Sequence, residues 1–159
     1  MATRKSPKNA RARKPAPRKP KAAPAKPRAA GRSLALSSAS PSYTVNDLDR
    51  SLAWYRDVLG FGVEEKWEME GKVVGVSLKA GDVSFMIGQD DWKKGRERKK
   101  GEGFRIYCAT KKSVDDLAKR IQLKGGTLDQ EPTDQPWGVR DISLTDPDGF
   151  KITIANEKR

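Results

Sequence analysis

Apolar residues recur at helical spacing where the regular part of the chain begins. Four of them, at intervals of four, three and four positions, define one face of a helix: Leu48, Leu52, Tyr55 and Leu59. Asn46 or Asp47 is suited to cap the start of this helix, and Gly60 is suited to end it. Runs of strand-like residues between turns then predict three strands, at 63–69, 72–79 and 83–88.

The same order of elements recurs in the second half of the chain. A strand is predicted at 104–109, and Ser113, with Asp116 three positions later, begins a second helix. The turn Asp-Pro-Asp-Gly at 146–149 combines the fixed φ of proline with the conformational freedom of glycine. It separates the last two of three further predicted strands, at 127–130, 139–144 and 150–155.

This internal repeat predicts an α+β fold of two βαβββ modules, at about 38–90 and 103–157. Each module is expected to supply part of a curved mixed sheet that lines a cup, with its helix packed on the outside. The segment 90–103 between the modules is rich in lysine and arginine. We expect it to be a solvated linker rather than a binding patch.

The net charge of +12 is unevenly distributed. Residues 1–32 contain twelve basic residues and no acidic one, so residues 33–159 hold 21 of each sign. The 1–32 segment also contains six prolines and no aromatic or branched aliphatic residue, which predicts a disordered tail before a neutral domain at 33–159. The tail either tethers the domain nonspecifically to nucleic acid or is a solvated extension, and its prolines argue against an amphipathic targeting peptide.

The composition excludes several kinds of chemistry. Histidine is absent, which removes the usual general base near neutral pH and the commonest metal ligand. The single cysteine, Cys108, cannot form an internal disulfide and suits a reducing compartment, so a cytoplasmic protein is predicted. Cys108 alternates with Phe104 and Ile106 and is expected to face the core. No apolar run approaches the ~18 residues of a membrane span, so no membrane partner is expected.

Four short motifs stand near the ends of the domain: VNDLDRS at 45–51, WYRDVLGF at 54–61, PWGVR at 136–140 and DPDGF at 146–150. Their order and content resemble the vicinal oxygen chelate superfamily, which includes glyoxalase I, bleomycin-resistance proteins, fosfomycin-resistance enzymes and extradiol dioxygenases. The resemblance covers about residues 38–157 and implies the same two-module cup. It also implies a site where superfamily enzymes hold a divalent metal ion with four side chains, typically His, Gln or Glu.

The positions that the resemblance assigns to these ligands hold other residues. The first-strand position falls near Ser40 and the last-strand position on Thr153. The fifth strand offers Arg105 or Tyr107, and only Gln89, at the end of the fourth strand, is a plausible oxygen donor. A guanidinium repels a cation and neutral hydroxyls are weak ligands. The resemblance therefore points to the metal-free, bleomycin-resistance-like branch, whose members are dimeric binders, with no metal, cofactor or catalytic residue assigned.

Candidate ligand-binding residues combine basic, aromatic and hydroxyl side chains. Strand alternation places Arg105 and Tyr107 on one face of the fifth strand, and Lys151 and Thr153 on the matching face of the last. Aromatic walls with a few fixed polar groups are typical of ligand cups. The full candidate set is Trp67, Arg105, Tyr107, Trp137, Arg140 and Thr153.

Alternatives remain open for three of these candidates. Trp67 and Trp137 are nearly as well explained as fillers of a sheet interface or a dimer seam. Arg140 either contacts a ligand or forms an ordinary ion pair, as does its neighbour Asp141.

The predicted function is sequestration of a small aromatic compound by a metal-free homodimer. Because Arg105 and Lys151 are expected to face the cup, that compound is neutral or anionic. The alternative is a glyoxalase-like lyase or isomerase, or a related metal-dependent enzyme, with a degenerate site. Nonspecific nucleic-acid tethering through residues 1–32 is compatible with either function.

Overall fold

The computed structural model describes residues 37–157, so the predicted tail at 1–32 lies outside the described residues. The first module contains β1 (Ser42–Val45), α1 (Leu48–Ala53), β2 (Gly62–Met69), β3 (Lys72–Ala80) and β4 (Val83–Gln89). The second contains β5 (Arg105–Thr110), α2 (Val114–Leu123), β6 (Gln130–Asp134), β7 (Arg140–Thr145) and β8 (Lys151–Asn156). Within this part of the chain, no helix has the length and apolar character needed to cross a bilayer.

Each module forms its own four-stranded sheet, and the two sheets have the same strand order. That order is β1-β4-β3-β2 in the first module and β5-β8-β7-β6 in the second. The first strand of each module runs parallel to the last, and the other neighbouring pairs are antiparallel. The predicted α+β class with two equivalent modules is therefore confirmed, with two four-stranded mixed sheets in place of one curved sheet.

One hydrophobic core joins the two modules. Every second residue of the central strands is buried in it, including Val76, Leu78, Phe85, Ile87, Ile142, Leu144 and Ile152. Burial of side chains of this size contributes about 1.5–3 kcal/mol each, so these strand faces contribute strongly to the stability of the domain. Cys108 packs against the same cluster, on the face that strand alternation predicts, and this burial raises the pKa of its thiol.

The first helix begins and ends where the sequence predicts, but its second half is wider. Asp47 caps α1 by accepting a hydrogen bond from the backbone N–H of Arg50 (3.0 Å). After Ala53 the chain continues as a π-helix, Trp54–Leu59, which ends at Gly60 in the left-handed region (φ 79°). The wider turn buries Tyr55, Val58 and Leu59 together.

The strand after α2 lies later than predicted. The sequence indicated 127–130, whereas β6 spans Gln130–Asp134. β6 is an edge strand that pairs only with β7, and its register shifts between Gln130 and Thr133. An edge position tolerates Pro132, and it needs no alternating pattern, so this strand carries little signal in the sequence.

Candidate functional site

Arg105 occupies the face of the second sheet that points away from the core. Its guanidinium Nη1 donates hydrogen bonds to the hydroxyl oxygens of Thr153 (2.7 Å) and Ser143 (3.2 Å). The two hydroxyls are 3.2 Å from each other and both residues are buried. Because β8 lies between β5 and β7, the sheet register brings these three side chains together. The structure thus joins two of the predicted site residues, Arg105 and Thr153.

A buried carboxylate shares this face of β7. Asp141 stands two residues before Ser143, and its Oδ1 accepts hydrogen bonds from the side-chain amides of Gln130 (3.0 Å) and Gln135 (2.8 Å). In the described residues no ion pair links Asp141 to a cation. The hydrogen-bond partners of both the carboxylate of Asp141 and the guanidinium of Arg105 are therefore neutral groups.

An open pocket of about 480 Å³ adjoins Arg105. It lies where the start of β5 meets the end of the linker and the turn before β8. Arg105, Lys151 and Phe104 line it, together with the backbone of Gly101, Gly103 and Gly149. The predicted cup residue Lys151 thus stands beside Arg105, its direct partner in the register of β5 and β8.

The other predicted aromatic residues lie at separate places. Tyr107 is 57% exposed and pairs in register with Thr153, so it flanks the Arg105 cluster. Trp137 is 58% exposed in the turn between β6 and β7. Trp67 belongs to the first sheet, where its ring covers Gly75; a Cβ at Gly75 would lie 2.8 Å from ring atom Cε3. No cation–π contact joins Arg105 to either tryptophan in residues 37–157.

The sequence left open whether Arg140 contacts a ligand or forms an ion pair. In the structure it forms ion pairs, and its partners are residues other than the neighbouring Asp141. Its guanidinium binds the carboxylate of Asp115 through Nε (2.9 Å) and Nη2 (2.8 Å), and its Nη1 lies 3.2 Å from Asp134. The hydrogen bonds that Arg140 donates to Asp115, and then to Asp134, raise the pKa of Arg140. This side chain links α2 to the sheet and has no contact with the Arg105 cluster.

The linker is anchored at both ends, so the expectation of a fully solvated loop is wrong there. Asp90 and Lys100 are almost completely buried and form an ion pair, joined by Arg98 at 2.5 Å from Asp90. Thr44 of β1 donates to the same carboxylate (3.1 Å). The hydrogen bond from Lys100, with further ones, holds the pKa of Asp90 below its usual range. Nothing in the spacing of these residues signals the cluster.

The turn between β7 and β8 fastens the second module to the first helix. Asp148 accepts hydrogen bonds from the backbone N–H of Asn46 (2.6 Å) and the hydroxyl of Ser51 (2.7 Å). Asp146 accepts one from the hydroxyl of Tyr55 (2.7 Å), which also contacts the hydroxyl of Tyr43 (2.7 Å). Burial raises the pKa of Asp146 and of both tyrosines. This network is structural and lies on the core side of the sheets.

Comparison with known protein families assigns the chain to a superfamily. Residues 36–154 match the model of the Glyoxalase/Bleomycin resistance protein/Dioxygenase superfamily. The chain belongs to this superfamily. The resemblance to the vicinal oxygen chelate superfamily is thereby confirmed at the level of the superfamily, whereas membership of a metal-free branch stays a proposal.

Two curated relatives from Arabidopsis thaliana are similar to this glyoxalase-superfamily domain. A probable chloroplastic lactoylglutathione lyase is 32% identical over 120 residues, which cover 70% of this chain and 33% of the relative. A second lactoylglutathione lyase is 26% identical over 129 residues, covering 70% of this chain and 41% of that protein. The chain therefore spans less than half of the length of either relative.

Solved structures share the fold at low sequence identity. TioX from Micromonospora sp. ML1 superposes with a TM-score of 0.62 at 19% identity, covering 76% of this chain and 100% of that one. A superfamily member from Sphaerobacter thermophilus superposes with a TM-score of 0.61 at 24% identity, covering 76% and 98%. At these identities the likeness establishes the fold alone.

The superfamily implies a divalent metal site in its enzymes, and the donors present here do not fit one. Gln89 is committed to the start of α1, because its Oε1 accepts from the N–H of Leu48 and its Nε2 donates to the carbonyl of Asn46, both at 3.0 Å. Arg105 places a permanent positive charge beside Thr153. In residues 37–157, no three His, Cys, Asp or Glu side chains stand close enough to hold an ion.

Proposed function

We propose that this glyoxalase-superfamily protein binds a small aromatic compound, neutral or anionic, on the Arg105 face of the second sheet, without a metal ion. The observation that carries the proposal is the guanidinium of Arg105, fixed by Thr153 and Ser143. It stands on the strand where the family resemblance calls for a metal ligand. A fixed guanidinium recognises oxygen atoms directly, so it replaces what a metal would otherwise provide.

Aromatic recognition would come from side chains that flank this cluster. Tyr107 is largely exposed next to Thr153, and Phe104 is 42% exposed beside Arg105. Exposed rings beside fixed polar groups suit a flat ligand, because the rings remove its apolar surface from water. Homodimer formation belongs to the same proposal, since Trp137 leaves apolar surface that a second copy would cover. Light scattering during gel filtration tests the dimer.

The proposal is tested by titrating the protein with a panel of aromatic carboxylates and their neutral amides, followed by intrinsic fluorescence and calorimetry. Arg105→Ala is expected to weaken binding by roughly tenfold or more, because a charge-assisted hydrogen bond is lost. Arg56→Ala is the matched control, because within residues 37–157 Arg56 pairs only with exposed Asp57 on the π-helix. Binding that is equally weakened by both variants, or by neither, would contradict the proposal.

A lyase activity is the second candidate, because both curated relatives carry the name lactoylglutathione lyase. The donors around Arg105 argue against the metal-dependent form of that chemistry. Elemental analysis of protein purified without chelator separates the two candidates. Stoichiometric nickel, zinc, manganese or iron that is retained through gel filtration would favour the lyase and oppose metal-free binding.

A further inference from the structure

The pocket beside Arg105 is built by a close approach of two backbone segments. Gly101 has a positive φ of 74°, and a Cβ on it would collide with the carbonyl oxygen of Gly149 in the turn before β8. The preceding residue, Lys100, is held by its buried ion pair with Asp90. The linker wall of the pocket is therefore fixed in place by tertiary contacts, even though it belongs to a loop.

The wall is also open toward the pocket. Gly103 has a φ of 70°, and a Cβ at this position would meet nothing within 4 Å. The backbone there is consequently accessible to a small group, with no side chain in the way. Gly103 and Arg105 flank Phe104, which also lines the pocket and packs its ring against Tyr43 and Phe150.

The side chains that line the pocket leave positive charge available. Arg105 uses only Nη1 for its hydroxyl partners, so the edge formed by Nε and Nη2 has no hydrogen-bond partner within residues 37–157. Over the same residues, no carboxylate lies within ion-pair distance of Arg105 or Lys151. Glu102, which also lines the pocket, lies 3.7 Å from Lys99.

We infer that this pocket binds the oxyanion group of the ligand, a carboxylate, phosphonate or phosphate, with the free edge of Arg105 and with Lys151. A guanidinium edge presents two parallel N–H donors, which match two oxygens of such a group. Lys151 supplies a second, mobile point charge, and Phe104 covers the apolar part next to the anion. This inference rests on the proposed function and narrows its neutral or anionic ligand to an anion.

The test is NMR titration of the full-length, ¹⁵N-labelled protein with benzoate, phenylphosphonate, benzamide and inorganic phosphate. The signals to follow are the Nε–H of Arg105 and the backbone amides of Gly103 and Lys151. We expect the two aromatic anions to bind roughly tenfold more tightly than benzamide, with saturable shifts at all three signals. Lys151→Gln should weaken the binding of the two aromatic anions several-fold. Lys72→Gln, which removes an exposed charge from β3 of the first sheet, should leave their binding unchanged.

The outcomes separate this inference from the proposed function. Benzamide that binds as tightly as benzoate, with an unchanged response in Lys151→Gln, would overturn the anion site and leave small-molecule binding intact. If no aromatic probe binds up to about 10 mM, the proposed binding of small aromatic compounds fails for the probes tested. The titration with inorganic phosphate then decides whether the anion pocket exists. Phosphate shifts at Arg105 and Lys151 would support the anion pocket alone, and their absence would overturn it.

Discussion

Gly101 and Gly71 share the same positive φ but differ in their surroundings, which isolates the contact that shapes the pocket. Both have a φ of 74°. A Cβ on Gly71 would meet nothing within 4 Å, whereas one on Gly101 would collide with Gly149. Alanine at either position carries the cost of the left-handed region, about 1–2 kcal/mol. Gly101→Ala should lower the free energy of unfolding by about 2 kcal/mol more than Gly71→Ala, because the linker must also move.

Urea denaturation of both variants measures this difference. Equal losses of unfolding free energy would mean that the linker is free to move away from the turn, and that the pocket wall is not fixed. A larger loss in Gly101→Ala, together with weaker anion binding, would link the wall to the site.

At this scale, the sequence predicted which face a residue occupies better than which partner it meets. Alternation along β5 and β8 was sufficient to place Arg105 and Thr153 on one face. Ser143, the third member of the cluster, was missed because its position depends on the register between β7 and β8. The partners of Arg140 were missed because they depend on tertiary packing, since Asp115 lies 25 residues away on α2. Periodicity carries no information on such pairings.

Among the elements, the linker is the one whose structure departs most from what its composition predicts. Its lysines and arginines indicated a solvated loop, yet Asp90 gathers Thr44, Arg98 and Lys100 around one buried carboxylate. Helices and strands with clear periodicity were predicted well, whereas the π-helix and β6 were not. Those elements are specified by contacts with their neighbours, which a single sequence does not display.

The Asp90 cluster should make the stability of the domain sensitive to acid. The pKa of Asp90 in the folded state is held low, first by the hydrogen bond from Lys100. The carboxylate therefore stabilises the fold at pH values above its unfolded-state pKa of about 3.9. That contribution is lost as the pH falls below this value. Asp90→Asn should therefore be less stable than wild type at pH 7, and the difference should shrink as the pH falls below about 4.

Thermal melts between neutral and acid pH measure that gap. Asp82→Asn is the matched control, because Asp82 is exposed in the turn between β3 and β4 and has no ion-pair partner in the described residues. A gap that stays constant with pH would show that Asp90 contributes through shape or packing rather than through its charge.

At the scale of the whole molecule, the net charge is concentrated in one part of the chain. Residues 33–159 are balanced at 21 basic and 21 acidic residues, whereas residues 1–32 carry the entire excess. Within the domain, the two modules share one hydrophobic core and the Tyr55–Asp146 hydrogen bond, so they pack as one unit. Affinity for a polyanion would therefore arise in a different part of the chain from affinity for a small ligand.

We accordingly expect residues 1–32 to bind nucleic acid without sequence preference. Full-length protein should shift duplex DNA of any sequence in a gel, and a protein reduced to 33–159 should not, since the domain has no net charge. The affinity should fall steeply with salt, with a slope of up to about −0.9 per phosphate contacted. The exposed linker lysines provide the control: Lys93→Gln with Lys94→Gln should leave the shift almost unchanged, because the linker also carries acidic residues. Equal DNA affinity with and without residues 1–32 would refute the tether. The cations of the linker would then have to bind DNA independently of the tail.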